Sequence, residues 1–182
     1  MTRITTVGLD ADDTLWHNET IFRLTHDRFR AMMADVAQPE VLDARLAAVE
    51  KRNLALYGYG VKGFTLSMIE TAMEVTGGEP RGRIIADILA AGREMLAHPV
   101  EPLPGVAEAL AELSDDYRLV LITKGDLLHQ EQKLAASGLG DLFAAVEIVS
   151  EKDASTYAGV FARHGTGAAQ AAARTQSGTS DA

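Results

Sequence analysis

Ile4-Thr5-Thr6-Val7-Gly8-Leu9-Asp10-Ala11-Asp12-Asp13-Thr14-Leu15 is the stretch on which the reading of this chain turns. Residues 4–9 are largely β-branched and apolar, and a cluster of acids follows them at once. That is a short buried strand with polar groups at its carboxyl end. Working outward, the next strand signal lies far along, at Arg118-Leu119-Val120-Leu121-Ile122-Thr123, and continues into Lys124-Gly125-Asp126. Its apolar run suits a strand covered on both faces. Val146-Glu147-Ile148-Val149 reads as a third strand, and Ser150-Glu151-Lys152-Asp153 follows it.

Between the first and second strands the chain reads as helical. Asn18 can cap a helix with Ile21, Phe22, Thr25, Phe29, Met32, Met33 and Val36 on one face. Pro39 suits the first turn of a second helix, which places Leu42, Leu46, Val49 and Leu56 on one side. Tyr57 to Gly63 is a glycine-rich break, and residues 64–76 and 81–97 look like two further helices. The segment from His98 to Gly105 holds three of the five prolines and reads as a linker. A short helix carrying Val106, Leu110 and Leu113 follows it. Asp126 can cap a helix over 127–137 that Gly138 ends. Residues 154–164 form another, with Tyr157, Val160 and Phe161 on one face. The alternation is that of an α/β domain with a parallel sheet, in which ligands sit beyond the carboxyl ends of the strands. From Gly165 to Ala182 no large apolar residue occurs, and the expectation there is a disordered or loosely attached tail.

The 182 residues carry a net charge of −9 and a sequence pI of about 5.0, which argues against nucleic acid or an anionic membrane surface as the main partner. Without a single cysteine, disulfides and thiolate chemistry are excluded. No run reads as a signal peptide or a bilayer span, so a cytoplasmic protein is expected. His17, His26, His98, His129 and His164 show no metal-ligand spacing.

Taken singly, each strand-end segment could be a polar turn or a solvated loop. Together they bring two carboxylates, a hydroxyl and a lysine to one place, and that set fits attack on a phosphate ester. An ionised carboxylate is a ready nucleophile. A second acid two residues on can exchange protons with the leaving oxygen and with water. The hydroxyl and the lysine can hold the phosphoryl oxygens, and acids facing a phosphate call for a hard cation such as Mg²⁺.

Asp10-Ala11-Asp12-Asp13-Thr14 resembles the Asp-x-Asp-x-Thr signature of the haloacid dehalogenase superfamily. Leu119 to Thr123 resembles its second motif and Lys152 its third, and the helical stretch resembles its α-helical cap. The resemblance implies a Rossmann-like three-layer α/β core over 1–16 and 101–164, a cap over 17–100 and a tail over 165–182. It implies Asp10 as the nucleophile that forms an aspartyl-phosphate and Asp12 as general acid/base. The Asp10 carboxylate and the Asp12 carbonyl would bind Mg²⁺, and Thr123, Lys124 and Lys152 would bind the phosphoryl group. Lys124 stands where the family often has Asn. Haloacid dehalogenases proper lack the second acid, so Asp12 favours phosphoryl chemistry. Asp13 and Thr14 shape the turn. The expected substrate is a small phosphorylated metabolite, with the cap closing over it, in a monomer or homodimer.

The family's fourth motif, an acidic pair on a further strand, has no counterpart after Lys152, where only Asp153 and Asp181 are acidic. The expectation is a truncated or frameshifted relative lacking its last strands, with the first strand left as an exposed edge. Two further readings compete: a receiver domain, which would have no long helical insert, and a catalytically impaired remnant that binds a partner.

Overall fold

The computed structural model describes residues 4–164 and 171–174. The elements run β1 (Thr6–Leu9), α1 (Glu19–Met33), α2 (Pro39–Tyr57), α3 (Val61–Val75), α4 (Gly82–Leu96), α5 (Val106–Asp116), β2 (Arg118–Lys124), α6 (Leu127–Ser137), β3 (Ala145–Val149), α7 (Ala154–Arg163) and β4 (Ala171–Arg174). The described residues divide into two compact units: an α/β unit of those up to Asn18 and from Pro99 onward, and a helical unit over Glu19–His98.

In the α/β unit the sheet order is β3-β2-β1-β4, with every pairing parallel. Strand β2 shows why the sequence makes a three-layer sandwich. Its side chains alternate between the sheet's faces. Leu119 and Leu121 join Leu110, Leu134, Leu139 and Phe143, the layer of α5 and α6. Val120 and Ile122 join Val160 and Phe161, the layer of α7. Gly8 on β1 leaves room for Ile122 and for the α7 layer, since a Cβ there would stand 2.8 Å from Ile122 Cδ1 and 3.1 Å from the Phe161 ring. A 3-10 turn at Gly140–Leu142 leads into β3.

β4 corrects one expectation. Strand β1 is not a sheet edge: Thr6 to Leu9 pair with Ala171 to Arg174 in parallel register on the side away from β2. The tail has no large apolar side chain, but a β1 edge presents backbone N–H and C=O groups that any strand can satisfy. The rest of the expected tail, 165–170 and 175–182, lies outside the described residues.

The helical unit packs α1 to α4 around Phe29, Met33, Leu42, Leu46, Phe64, Met68, Ile88 and Met95. Helix α3 starts earlier than the glycine-rich break implied, at Val61, so Gly63 lies inside it. The reason is room, because a Cβ on Gly63 would stand 2.7 Å from the Gly58 carbonyl oxygen. At the outside, Arg30 forms a two-pronged pair with Asp43, at 2.8 and 2.6 Å, and holds that carboxyl below its ordinary range. Among the described residues no helix is long and apolar enough to cross a membrane.

Candidate active site

The three strands β1, β2 and β3 end on one side of the sheet, and the residues following them build the site. Asp10 comes directly after β1. Its Oδ1 accepts the Ala11 N–H at 2.7 Å and also contacts the Lys152 ammonium. The two side chains are mostly buried, 15% and 12% exposed, so this ion pair is shielded from bulk water. Both contacts fall on Oδ1, so Oδ2 takes part in neither.

Local capping places Lys152. The next residue, Asp153, accepts the Thr156 N–H and the Ser155 hydroxyl, each at 2.7 Å, and so starts α7. Those donors, Ser155 first, hold the Asp153 carboxyl below its ordinary value. Asp153, one of the two acids that follow Lys152, is the N-cap of α7.

The loop after Asp10 is a tight turn. The Ala11 carbonyl accepts the Thr14 and Leu15 N–H groups at 3.2 and 2.7 Å. Asp13 takes φ +55 and accepts the Asn18 N–H at 2.8 Å, so it shapes the turn. Leu15 and Trp16 anchor the loop in the core.

Asp12 is the most heavily bonded acid of the set. Its Oδ1 accepts the Trp16 indole N–H at 2.8 Å and contacts the Lys133 ammonium, while its Oδ2 accepts the Gln130 amide at 2.9 Å. Gln130 and Lys133 come from α6, and neither was singled out from the sequence. The available signal was a polar pair three residues apart on the helix that leaves β2 through the Asp126 cap. That cap, which accepts the His129 N–H at 3.0 Å, and the Gly138 terminus at φ +70 lie where the sequence put them.

Thr123 is buried on β2, two residues beyond the partner of Leu9, with its hydroxyl 3.4 Å from the Lys124 carbonyl oxygen. The Lys124 ammonium lies 3.7 Å from the Glu151 carboxylate. The structure therefore joins Lys152 to Asp10 directly, sets Thr123 at the neighbouring strand end, and directs Lys124 towards the β3 loop. Tyr157, read only as a core position, also feels the site: burial and then the charge of Asp10 raise its hydroxyl above the usual value.

A metal ion would find one carboxylate, Asp10, and one backbone carbonyl, Asp12, in this loop. Among the described residues no group of three acidic or histidine side chains gathers for one. The donors are hard oxygens, and they suit Mg²⁺, which keeps several waters and takes oxygens from a substrate phosphate.

The family model for haloacid dehalogenase-like hydrolases matches residues 4–178. Among solved structures, a haloacid dehalogenase-like family hydrolase from Xanthomonas campestris is 48% identical, with a TM-score of 0.90, over 96% of this chain and 73% of that one. An L-2-haloacid dehalogenase from Xanthobacter autotrophicus, with chloropropionic acid covalently bound, is 20% identical, with a TM-score of 0.59, over 93% and 69%. A predicted phosphoglycolate phosphatase from Haemophilus somnus 129PT is 16% identical, with a TM-score of 0.58, over 95% and 77%. At such low identity the last two show the fold alone. No curated protein matches the chain. By its family match and its likeness to the Xanthomonas hydrolase, the chain belongs to the haloacid dehalogenase-like hydrolases.

Proposed function

We propose that this hydrolase cleaves phosphate monoesters of small metabolites with Mg²⁺ as its cofactor. The observation that carries the reading is Asp12, a second carboxylate two residues after the nucleophile and fixed by hydrogen bonds in the same loop. A proton-exchanging group serves departure of an alkoxide from phosphorus, and displacement of a halide, a weak base, has no use for one.

Asp10 attacks phosphorus through Oδ2 as the ester P–O bond breaks, and a proton from Asp12 passes to the leaving oxygen. Water then attacks the aspartyl-phosphate at phosphorus and gives a proton back to Asp12, releasing phosphate and restoring Asp10. Lys152 and the Thr123 hydroxyl, with backbone N–H groups of the loop, balance charge on the phosphoryl oxygens. Bound by the Asp10 carboxylate and the Asp12 carbonyl, Mg²⁺ supplies further charge neutralisation at the phosphoryl group.

The sparse acid set among the described residues favours a second reading, a family member impaired in catalysis. Hydrolysis of p-nitrophenyl phosphate with and without Mg²⁺, beside Asp10→Asn and with 2-chloropropionate as the alternative substrate, separates the readings. Mg²⁺-dependent phosphate release that vanishes in the variant is expected. Chloride release without phosphate release would reject the phosphatase reading, and no release from folded protein would favour the impaired one.

A further inference from the structure

The Asp12 carboxylate can accept about four hydrogen bonds, two at each oxygen. Three positions are occupied. Oδ1 is filled by the Trp16 indole N–H and the Lys133 ammonium, and Oδ2 takes one bond from the Gln130 amide. From this geometry we infer that Lys133, Trp16 and Gln130 are a positioning set for the proton-exchanging acid, and that they leave only Oδ2 open for the exchange. The inference rests on the phosphatase reading and adds to it which atom moves the proton and which residues of α6 aim it.

Each member is itself held. Lys133 is only 7% exposed, its ammonium also donates to Asn18 Oδ1 at 3.1 Å, and it stands 5.8 Å from the centre of the Trp16 ring. A buried ammonium with these partners has little freedom to leave Asp12. Trp16 is 1% exposed, and it is fixed by the core. Gln130 turns its amide nitrogen to two acceptors, Asp12 Oδ2 and the Lys124 carbonyl at 2.8 Å, while its own Oε1 is buried without a partner among the described residues. Turning the amide over would put oxygen against both acceptors, so the donor orientation is fixed even though an acceptor goes unused. Gly125 completes the arrangement, because a Cβ there would lie 3.0 Å from Gln130 Nε2. Asp126, the cap of α6, sets the register that puts Gln130 and Lys133 on this face.

A positioning role differs from a general structural one in its dependence on the leaving group. Proton donation matters for a poor leaving group such as an alkoxide and little for an activated phenoxide. kcat/KM covers the steps only through departure of that group, so it isolates the first proton transfer. The experiment compares wild type, Lys133→Met, Lys133→Arg and Gln130→Met on an alkyl phosphate and on 2,4-dinitrophenyl phosphate, with melting curves for each. Lys133→Met should lose about 10–100-fold in kcat/KM on the alkyl ester but less than about threefold on the activated one. Lys133→Arg should recover most of the loss, and Gln130→Met should show the same bias to a smaller degree, which keeps the test open if Lys133→Met fails to fold. Equal losses on both esters, or none on either, in folded variants would overturn the positioning role while leaving the phosphatase reading intact. A folded wild type inert towards both esters would overturn both.

Discussion

Replacing Glu50 with glutamine should stabilise the protein at mildly alkaline pH and leave its stability unchanged in acid. Glu50 lies on α2 beside Val49, at the edge of the face that buries Leu42, Leu46, Val49 and Asn53. It is partly buried and, among the described residues, has no ion pair or hydrogen bond. Burial alone raises its carboxyl from 4.5 to about 7. At low pH both folded and unfolded chains carry the proton, and the group is neutral to stability. As pH rises past the unfolded value, the unfolded chain releases its proton while the folded chain keeps it, so stability falls until about pH 7 and then levels off. A gap of that size in a water-free site corresponds to about 3 kcal/mol. Glu50 retains some water access, and screening reduces the expected cost to about 1–2 kcal/mol. Glutamine keeps the shape and never ionises. Urea unfolding followed by circular dichroism should therefore give equal midpoints for wild type and Glu50→Gln at a pH about one unit below the unfolded value of 4.5, and a gain of about 1–2 kcal/mol for the variant near pH 8. A difference between the two proteins that stays constant across that range would refute the argument, as would a glutamine variant that is less stable at the higher pH.

Three further outcomes follow from packing. Gly92→Ala should destabilise by about 1–3 kcal/mol in thermal melts, because its Cβ would meet Thr65 Oγ1 and stand 2.9 Å from Thr65 Cγ2. Thr65 cannot swing away while its hydroxyl donates to the Val61 carbonyl at 2.7 Å, so adding Thr65→Ala should recover most of the loss. Thr71 is fully buried with a hydroxyl that has no partner among the described residues, and Thr71→Val should raise stability by about 1 kcal/mol in urea unfolding. Gly125→Ala should cost about 1–3 kcal/mol by calorimetry, since Gly125 has φ +130 and its Cβ would press on Gln130.

The α/β architecture was legible because strand and helix periodicities differ and each strand end carries its chemistry in plain sequence. Asp10 and Lys152 could be placed at one end of the sheet in advance, since both follow apolar strands of one parallel sheet. Gln130 and Lys133 could not be. On a helix they look like ordinary solvated residues, and only the turn of α6 towards the Asp12 loop brings them to one carboxylate. Lys124 stands beside Thr123 in sequence, yet alternation along a strand sends neighbouring side chains to opposite faces, and its ammonium approaches Glu151. β4 escaped notice because strand pairing uses backbone groups, which hydropathy does not register.

The two-sided pairing of β1 also bears on how the chain folds. Thr6 pairs with Arg118 on one side and with Ala171 on the other, so the strand that leads into Asp10 finds no neighbour in sequence. Closing such distant contacts costs chain entropy before any reward arrives. The helical unit offsets that cost. Its contacts are local, and once it folds, the separation between Leu15 and Leu103, joined at 2.8 Å by the Leu103 N–H, no longer has to be searched as loose coil. Rapid formation of α1 to α4 followed by slower sheet assembly is the expected kinetic order, with the Asp10–Trp16 loop among the last parts to become rigid.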